Sequence, residues 1–303
     1  MFGNVPYMLE QRKRRRVTLG PWLLAPALLL LLVFLYRPLA VTIGLSFRGT
    51  DLLGNPTRFV GLNNYRELVT DPASRRVLLT TLVLSVGSTL LATGAALAAA
   101  LPLRRRIPGD AVFRTVFSVP FAYSAATAAT CFAGLFAPSV GTLNQVLSWF
   151  GVTGPGWLQS PTLAAICVAV TTAWYEFGFA FLVLLAALHS LPAEVLEAAQ
   201  LDGARGIRLV RSVIVPLISP SLFFLAVTQT VSGLQIFTQV QVLTKGGPSG
   251  STTTLVYELY RRAFGAGLPD YGRASAVAVV LVVLVGLVTG AQFASWSRKV
   301  TTS

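Results

Sequence analysis

Residues 194–220 read EVLEAAQLDGARGIRLVRSVIVPLISP, and they set Glu194, Glu197, Asp202, Arg205, Arg208 and Arg211 between two long apolar runs. Pro192, just upstream, suits the first turn of a helix, where its missing N–H is not needed. Glu194 and Glu197 then sit near the positive end of the helix dipole. Helical periodicity places Val195, Ala198, Ala199 and Asp202 on one face. Gly203 permits a turn that a side chain resists. A second short helix carries Arg205, Arg208 and Arg211 until Pro216 marks the next apolar run. The stretch therefore predicts an L-shaped projection held rigidly between two apolar helices.

The flanks decide the class. Of 303 residues, 54% are hydrophobic and 12% charged, about half the charge of a soluble domain. A net charge of +13 raises nucleic-acid binding as an option. The basic residues, however, are short clusters beside apolar runs, the pattern of topology signals facing anionic lipid. Charge-free stretches cover 77–103, 115–175, 212–244 and 274–297. Pro138, Pro155, Gly156 and Pro161 divide the second of these into two spans and a loop. About 20 apolar residues cross a bilayer as a helix, and helices pair their own backbone in lipid. The expectation is an all-α, polytopic membrane protein with six spans near 20–46, 77–102, 112–137, 162–189, 215–243 and 272–296. QRKRRR before the first span imitates a secretory signal. The apolar run continues past Arg37 without a convincing cleavage site, so it reads as an uncleaved span.

Orientation follows from Lys and Arg. Arg12–Arg16, Arg104–Arg106, Arg114, Arg205, Arg208, Arg211, Arg298 and Lys299 supply 14 of the 24 basic residues, packed tightly against span ends. The positive-inside rule then puts both termini in the cytoplasm, with a basic N-terminus over 1–19 and a tail over 299–303. Loop 190–214 is placed in the cytoplasm with them.

Two readings of that loop are open: an amphipathic interfacial linker and a docking element. The order Glu197-Ala198-Ala199, Asp202-Gly203-Ala204, Pro216 and Pro220 resembles the EAA signature of permease subunits of bacterial ABC importers. The likeness extends from about residue 20 to 298. FVGLNNYRELVTDP (59–72), GTLNQVLSWFG (141–151), WLQSP (157–161), LTKGGPSGSTTTLVYELYRRAF (243–264) and YGRASA (271–276) resemble the outer loops of the maltose and glycerol-phosphate permease class. The resemblance implies the type I ABC importer permease fold and a coupling role for Glu197, Ala198, Ala199, Asp202, Gly203 and Ala204. It also implies a second, homologous permease subunit, two ATPase subunits that carry ATP and Mg²⁺, and an extracytoplasmic solute-binding protein. It implies no cofactor on this chain, no catalysis by it and no nucleic-acid partner. Val210, Val213, Thr80-Thr81 and Thr238 depart from the residues common in the family. The implied cargo is glycerol-3-phosphate or a glycerophosphodiester such as glycerophosphocholine. A trehalose- or maltose-type disaccharide is the alternative.

Candidate pathway residues come from polarity inside the spans. Thr228, Ser232, Gln235 and Gln239 are spaced i, i+4, i+7 and i+11, so a continuous helix puts them in one stripe. Such a stripe faces protein or water, either as interhelical glue or as the pathway wall. Glu176 lies near the middle of the fourth span, where a carboxylate is a functional candidate. Trp174 and Tyr175 adjoin it, and Tyr123 is expected to approach from the third span. A carboxylate among aromatic rings suits a cationic head such as choline, and an ion pair with the partner permease is the competing role. Arg37 is expected to snorkel outward.

Other polar features read blandly. His189 stands without acidic or cysteine neighbours, which does not make a metal site. Cys131 and Cys167 lie in apolar runs and read as packing residues. KGGPSGSTTT lacks the Gly-Lys-Ser/Thr order of a phosphate loop. A self-contained channel or carrier predicts a filter or an internal repeat, and a membrane enzyme predicts a catalytic constellation. The sequence displays none of these.

Overall fold

The computed structural model describes residues 24–104, 108–265 and 267–300. The basic cluster Arg12–Arg16, Arg105 and Arg106, and the side chains of Arg298 and Lys299, lie outside what it describes.

The architecture is a helical bundle with one small two-stranded ribbon. Helix α1 spans Leu24–Ser46. Pro38 lacks an N–H, and the turn before it widens, with the Arg37 N–H donating to Leu32 O. Strands β1 (Arg48–Thr50) and β2 (Pro56–Phe59) pair antiparallel, with Arg48 opposite Phe59. Short helix α2 (Asn63–Thr70) follows. Helix α3 (Pro72–Ala100) starts where Asp71 caps it, its carboxylate accepting from the Ala73 and Ser74 N–H groups.

The expected third span is two helices, α4 (Asp110–Ala122) and α5 (Ala125–Leu135), bent by 103°. Ser124 makes the break tolerable by capping α5 through the Thr127 N–H at 3.1 Å. Helix α6 (Thr142–Trp149) lies in the following loop, and α7 (Pro161–His189) is unbroken. Then come α8 (Ala193–Leu201) and α9 (Gly206–Leu217), which meets α10 (Ser219–Leu234) at 74°. The expected fifth span does not continue. It stops at Gln235 and restarts as α11 (Thr238–Leu243). The Ile236 carbonyl freed by this break accepts from the Thr254 hydroxyl at 2.7 Å, as backbone groups inside a membrane require. Helices α12 (Leu255–Phe264) and α13 (Tyr271–Val300) complete the chain.

Small residues let the central helices approach closely. Ser85, Ser88, Ala92, Ala96 and Ala100 are buried along α3. Ser85 Oγ donates to Thr230 O at 3.0 Å. A Cβ on Gly233 would stand 2.8 Å from the Ser85 Cα, so α3 and α10 cross nearly backbone to backbone. A Cβ on Gly178 would lie 2.5 Å from the Phe121 N, which fixes α4 against α7. One core unites Ala96, Phe181, Leu184, Ile214 and Leu225 near the end that carries α8 and α9. Around α1, by contrast, side chains are exposed almost throughout, as suits a helix facing lipid.

Candidate functional site: a mid-membrane chamber and a projecting segment

The chamber is built at the crossing of α4, α7 and α10. Glu176 lies at the centre of the 29-residue α7, about 20 Å from either helix end at 1.5 Å per residue. It is 6% exposed, no cation stands beside its carboxylate among the described residues, and the Ser232 hydroxyl is the side-chain donor set toward it. Two adjoining cavities share Tyr175, Glu176 and Ser232 in their walls. The larger, about 240 Å³, adds Phe121, Phe179, Thr228 and Gln229. The smaller, about 180 Å³, adds Gln235 and Gln239 among others. Among the described residues, no Lys or Arg lines either cavity.

The structure thus brings Glu176 together with Thr228, Ser232, Gln235 and Gln239 around one space. The route differs from the expected stripe. Thr228 and Ser232 project from α10, Gln235 caps its end, and Gln239 arrives from α11 after the break. Tyr123 and Trp174 are not in the walls. They pair with each other at 6.1 Å, and Trp174 packs on Phe132 at 5.4 Å. The rings that do line the chamber are Tyr175, Phe121 and Phe179, the last two offset-stacked at 6.0 Å. In the sequence Phe121 and Phe179 are indistinguishable from lipid-facing residues. Gln229 also escaped notice. Its side chain accepts from the Thr93 hydroxyl at 2.7 Å and donates to the Glu176 carbonyl at 3.4 Å, which ties α3, α7 and α10 together.

At one end of the bundle α8 and α9 form the projecting segment. Leu196 and Ala199 pack onto the core, and Ala204 and Leu209 are buried in it. Glu197, Ala198, Asp202 and Gly203 are exposed. The six candidate residues therefore divide: Ala199 and Ala204 anchor the segment, and the other four lie on its outer side. Gly203 adopts φ +83°, a conformation that favours glycine. Its N–H donates to Gln200 O, and Ala204 N–H donates to Ala199 O at 2.9 Å, closing the helix end. Leu201 is 89% and Ile207 80% exposed, so apolar side chains stand at the tip beside the charged ones.

The opposite end holds a second buried carboxylate. Glu258, 4% exposed, accepts from Arg261 Nε at 2.9 Å and from Arg262 Nε at 2.6 Å. It borders a cavity of about 390 Å³ that also takes in Arg76 and Lys245.

The family described as "Binding-protein-dependent transport system inner membrane component" matches residues 91–301. The chain belongs to that family. It is a multi-pass membrane protein and a transport component, not an enzyme. It is 33% identical over 282 residues to the sn-glycerol-3-phosphate transport system permease protein UgpA of Agrobacterium fabrum, covering 92% of this chain and 95% of that one. It is 32% identical over 282 residues to the trehalose/maltose transport system permease protein MalF of Thermococcus litoralis, covering 92% and 93%. In fold it matches a chain of the bacterial alginate ABC transporter solved with an alginate pentasaccharide-bound periplasmic protein. That match has a TM-score of 0.81 at 23% identity, over 96% of this chain and 98% of that chain. The fold is that of a type I importer permease.

Proposed function

We propose that this chain is one of two homologous permease subunits of an ATP-driven importer in a bacterial plasma membrane. Both termini and the α8–α9 segment face the cytoplasm. Two partner ATPase subunits hold ATP and Mg²⁺, and their closure is passed through α8 into α7 and α10. The permease pair then alternates between outward- and inward-facing packings. A solute-binding protein delivers cargo at the far end, beside β1–β2, α2 and the 244–254 loop. The observation that carries the coupling role is the projecting segment itself. Its inner face is welded to the core through Leu196, Ala199 and Ala204, while its outer face, with Glu197, Ala198 and Leu201, is uncovered within this chain.

The cargo we favour is glycerol-3-phosphate or a glycerophosphodiester, supported by 33% identity to the Agrobacterium permease over nearly the whole chain. The Thermococcus relative supports a disaccharide as the second reading, and the hydroxyl- and amide-bearing chamber wall is compatible with it. A calorimetric ligand screen of the cognate binding protein separates the two. Binding of glycerol phosphate esters supports the first reading, and binding of disaccharides alone moves the cargo to the second.

A further inference from the structure

Two carboxylates of this chain are equally buried and treated in opposite ways. Glu258 is neutralised by two arginines three and four residues along its own helix. Glu176 has no cation beside its carboxylate among the described residues, and the Ser232 hydroxyl is the side-chain donor set toward it. A carboxylate in low dielectric needs a compensating partner. The space that it faces is walled by the rings of Phe121, Tyr175 and Phe179, with the hydroxyls of Thr228 and Ser232 beside them. Ring faces attract a weakly hydrated cation, and a single carboxylate among them adds a full opposite charge. The same wall opposes a phosphate monoester, whose two negative charges would meet Glu176 with no Lys or Arg among the described wall residues.

We infer that Glu176 is a specificity-determining residue that selects, within the transmembrane chamber, solutes presenting an alkylammonium end. The anionic part of such a solute is turned toward the second permease subunit. The inference rests on the importer reading and deepens it. Among glycerol phosphate esters it favours a zwitterionic diester over the monoester.

The test is ATP-driven uptake by the complete transporter in proteoliposomes, comparing two probes of equal shape. One is glycerophosphocholine, and the other is its uncharged isostere, in which a 3,3-dimethylbutyl group replaces the choline. The same binding protein is used throughout, so its own selectivity cancels between variants. Wild type is expected to favour the ammonium probe at least tenfold in KM, and Glu176→Gln to bring the ratio near one. Glu176→Asp keeps the preference. Phe179→Leu, which leaves the carboxylate in place, raises KM for the ammonium probe about three- to tenfold and leaves the isostere unchanged, so a poorly assembled Glu176→Gln complex does not remove the test. An unchanged ratio in Glu176→Gln together with an unchanged KM in Phe179→Leu overturns the inference. So does a wild type that takes up neither probe while importing glycerol-3-phosphate or trehalose with ATP, and in that case the importer reading stands. Absence of any ATP-dependent uptake overturns both.

Discussion

The α8–α9 segment and the Glu176 chamber are two polar regions of this apolar chain, and they differ in shape and in surroundings. In the segment, Glu197 and Asp202 stand outward beside exposed Leu201 and Ile207. In the chamber, the Glu176 carboxylate, the hydroxyls of Thr228 and Ser232 and the amides of Gln229, Gln235 and Gln239 line a cleft between helices. The difference lies in what surrounds them. The segment is convex, anchored from beneath and open to a macromolecule. The chamber is concave, walled by rings and sized for a small solute. Under the proposed function, the first is the surface for a protein that moves the chain and the second is the surface for the cargo.

The sharpest way to break this comparison is charge reversal in the segment. Glu197→Lys should lower ATP-driven uptake at least about 100-fold, as expected when one member of an interfacial charge pair worth about 3 kcal/mol is reversed. The amount of chain in the membrane should not change. Normal uptake would remove the segment from the coupling path.

The next prediction opposes the two buried carboxylates. Glu258→Gln strands Arg262, which is mostly buried, beside an Arg261 that is largely solvated. It should cost about 1–2 kcal/mol, discounted for that solvation, and lower the Tm in detergent. Glu176→Gln removes a buried carboxylate that has no cation beside it among the described residues and keeps a group able to meet the Ser232 hydroxyl, so its Tm should stay level or rise. Equal losses in the two variants would make Glu176 a structural residue.

Gly203→Val probes the backbone alone, because nothing lies within 4 Å of a Cβ there. The positive φ should cost about 1–2 kcal/mol, read as weaker stimulation of the ATPase by the loaded binding protein and unchanged membrane insertion.

The smallest effect is at Asp71. Hydrogen bonds from the Ser74 N–H and hydroxyl hold its carboxyl below the usual carboxylate range. A depressed folded pKa contributes stability above the unfolded value, and that stability is lost as pH falls through the folded one. The protection factors of the amides at the start of α3, rates corrected for intrinsic exchange, should therefore be flat at neutral pH and fall only below about pH 4. Asp71→Asn should abolish the step.

Much of the fold was legible because a bilayer imposes simple rules. Long apolar runs appear as unbroken helices at 24–46, 72–100, 161–189 and 271–300, near the positions expected from length and hydropathy. The two remaining runs broke for reasons that lie outside their own sequence. At Tyr123–Ser124 a single serine caps the restarting helix. At Gln235–Phe237 the acceptor is satisfied by Thr254, eighteen residues away. Helical periodicity cannot register a partner in another loop, so it puts Gln239 on one continuous stripe where the structure has a break between α10 and α11. Phe121 entered the chamber because Gly178 lets α4 press its backbone onto α7, and only the three-dimensional crossing reveals that. The aromatic neighbours chosen by adjacency to Glu176, or by approach from the third span, were Trp174 and Tyr123. They turn to each other, because Trp174, two residues before Glu176, points about 200° away from it round the helix, whereas Tyr175, about 100° away, still reaches the wall.

The central claim is that this chain moves solute only when a separate ATPase drives it through the α8–α9 segment. Proteoliposomes containing both permease subunits and the loaded binding protein, with and without the ATPase pair and ATP, test it directly. The account predicts saturable uptake with the ATPase and ATP, and none without them. Specific uptake by the permease pair alone would contradict it.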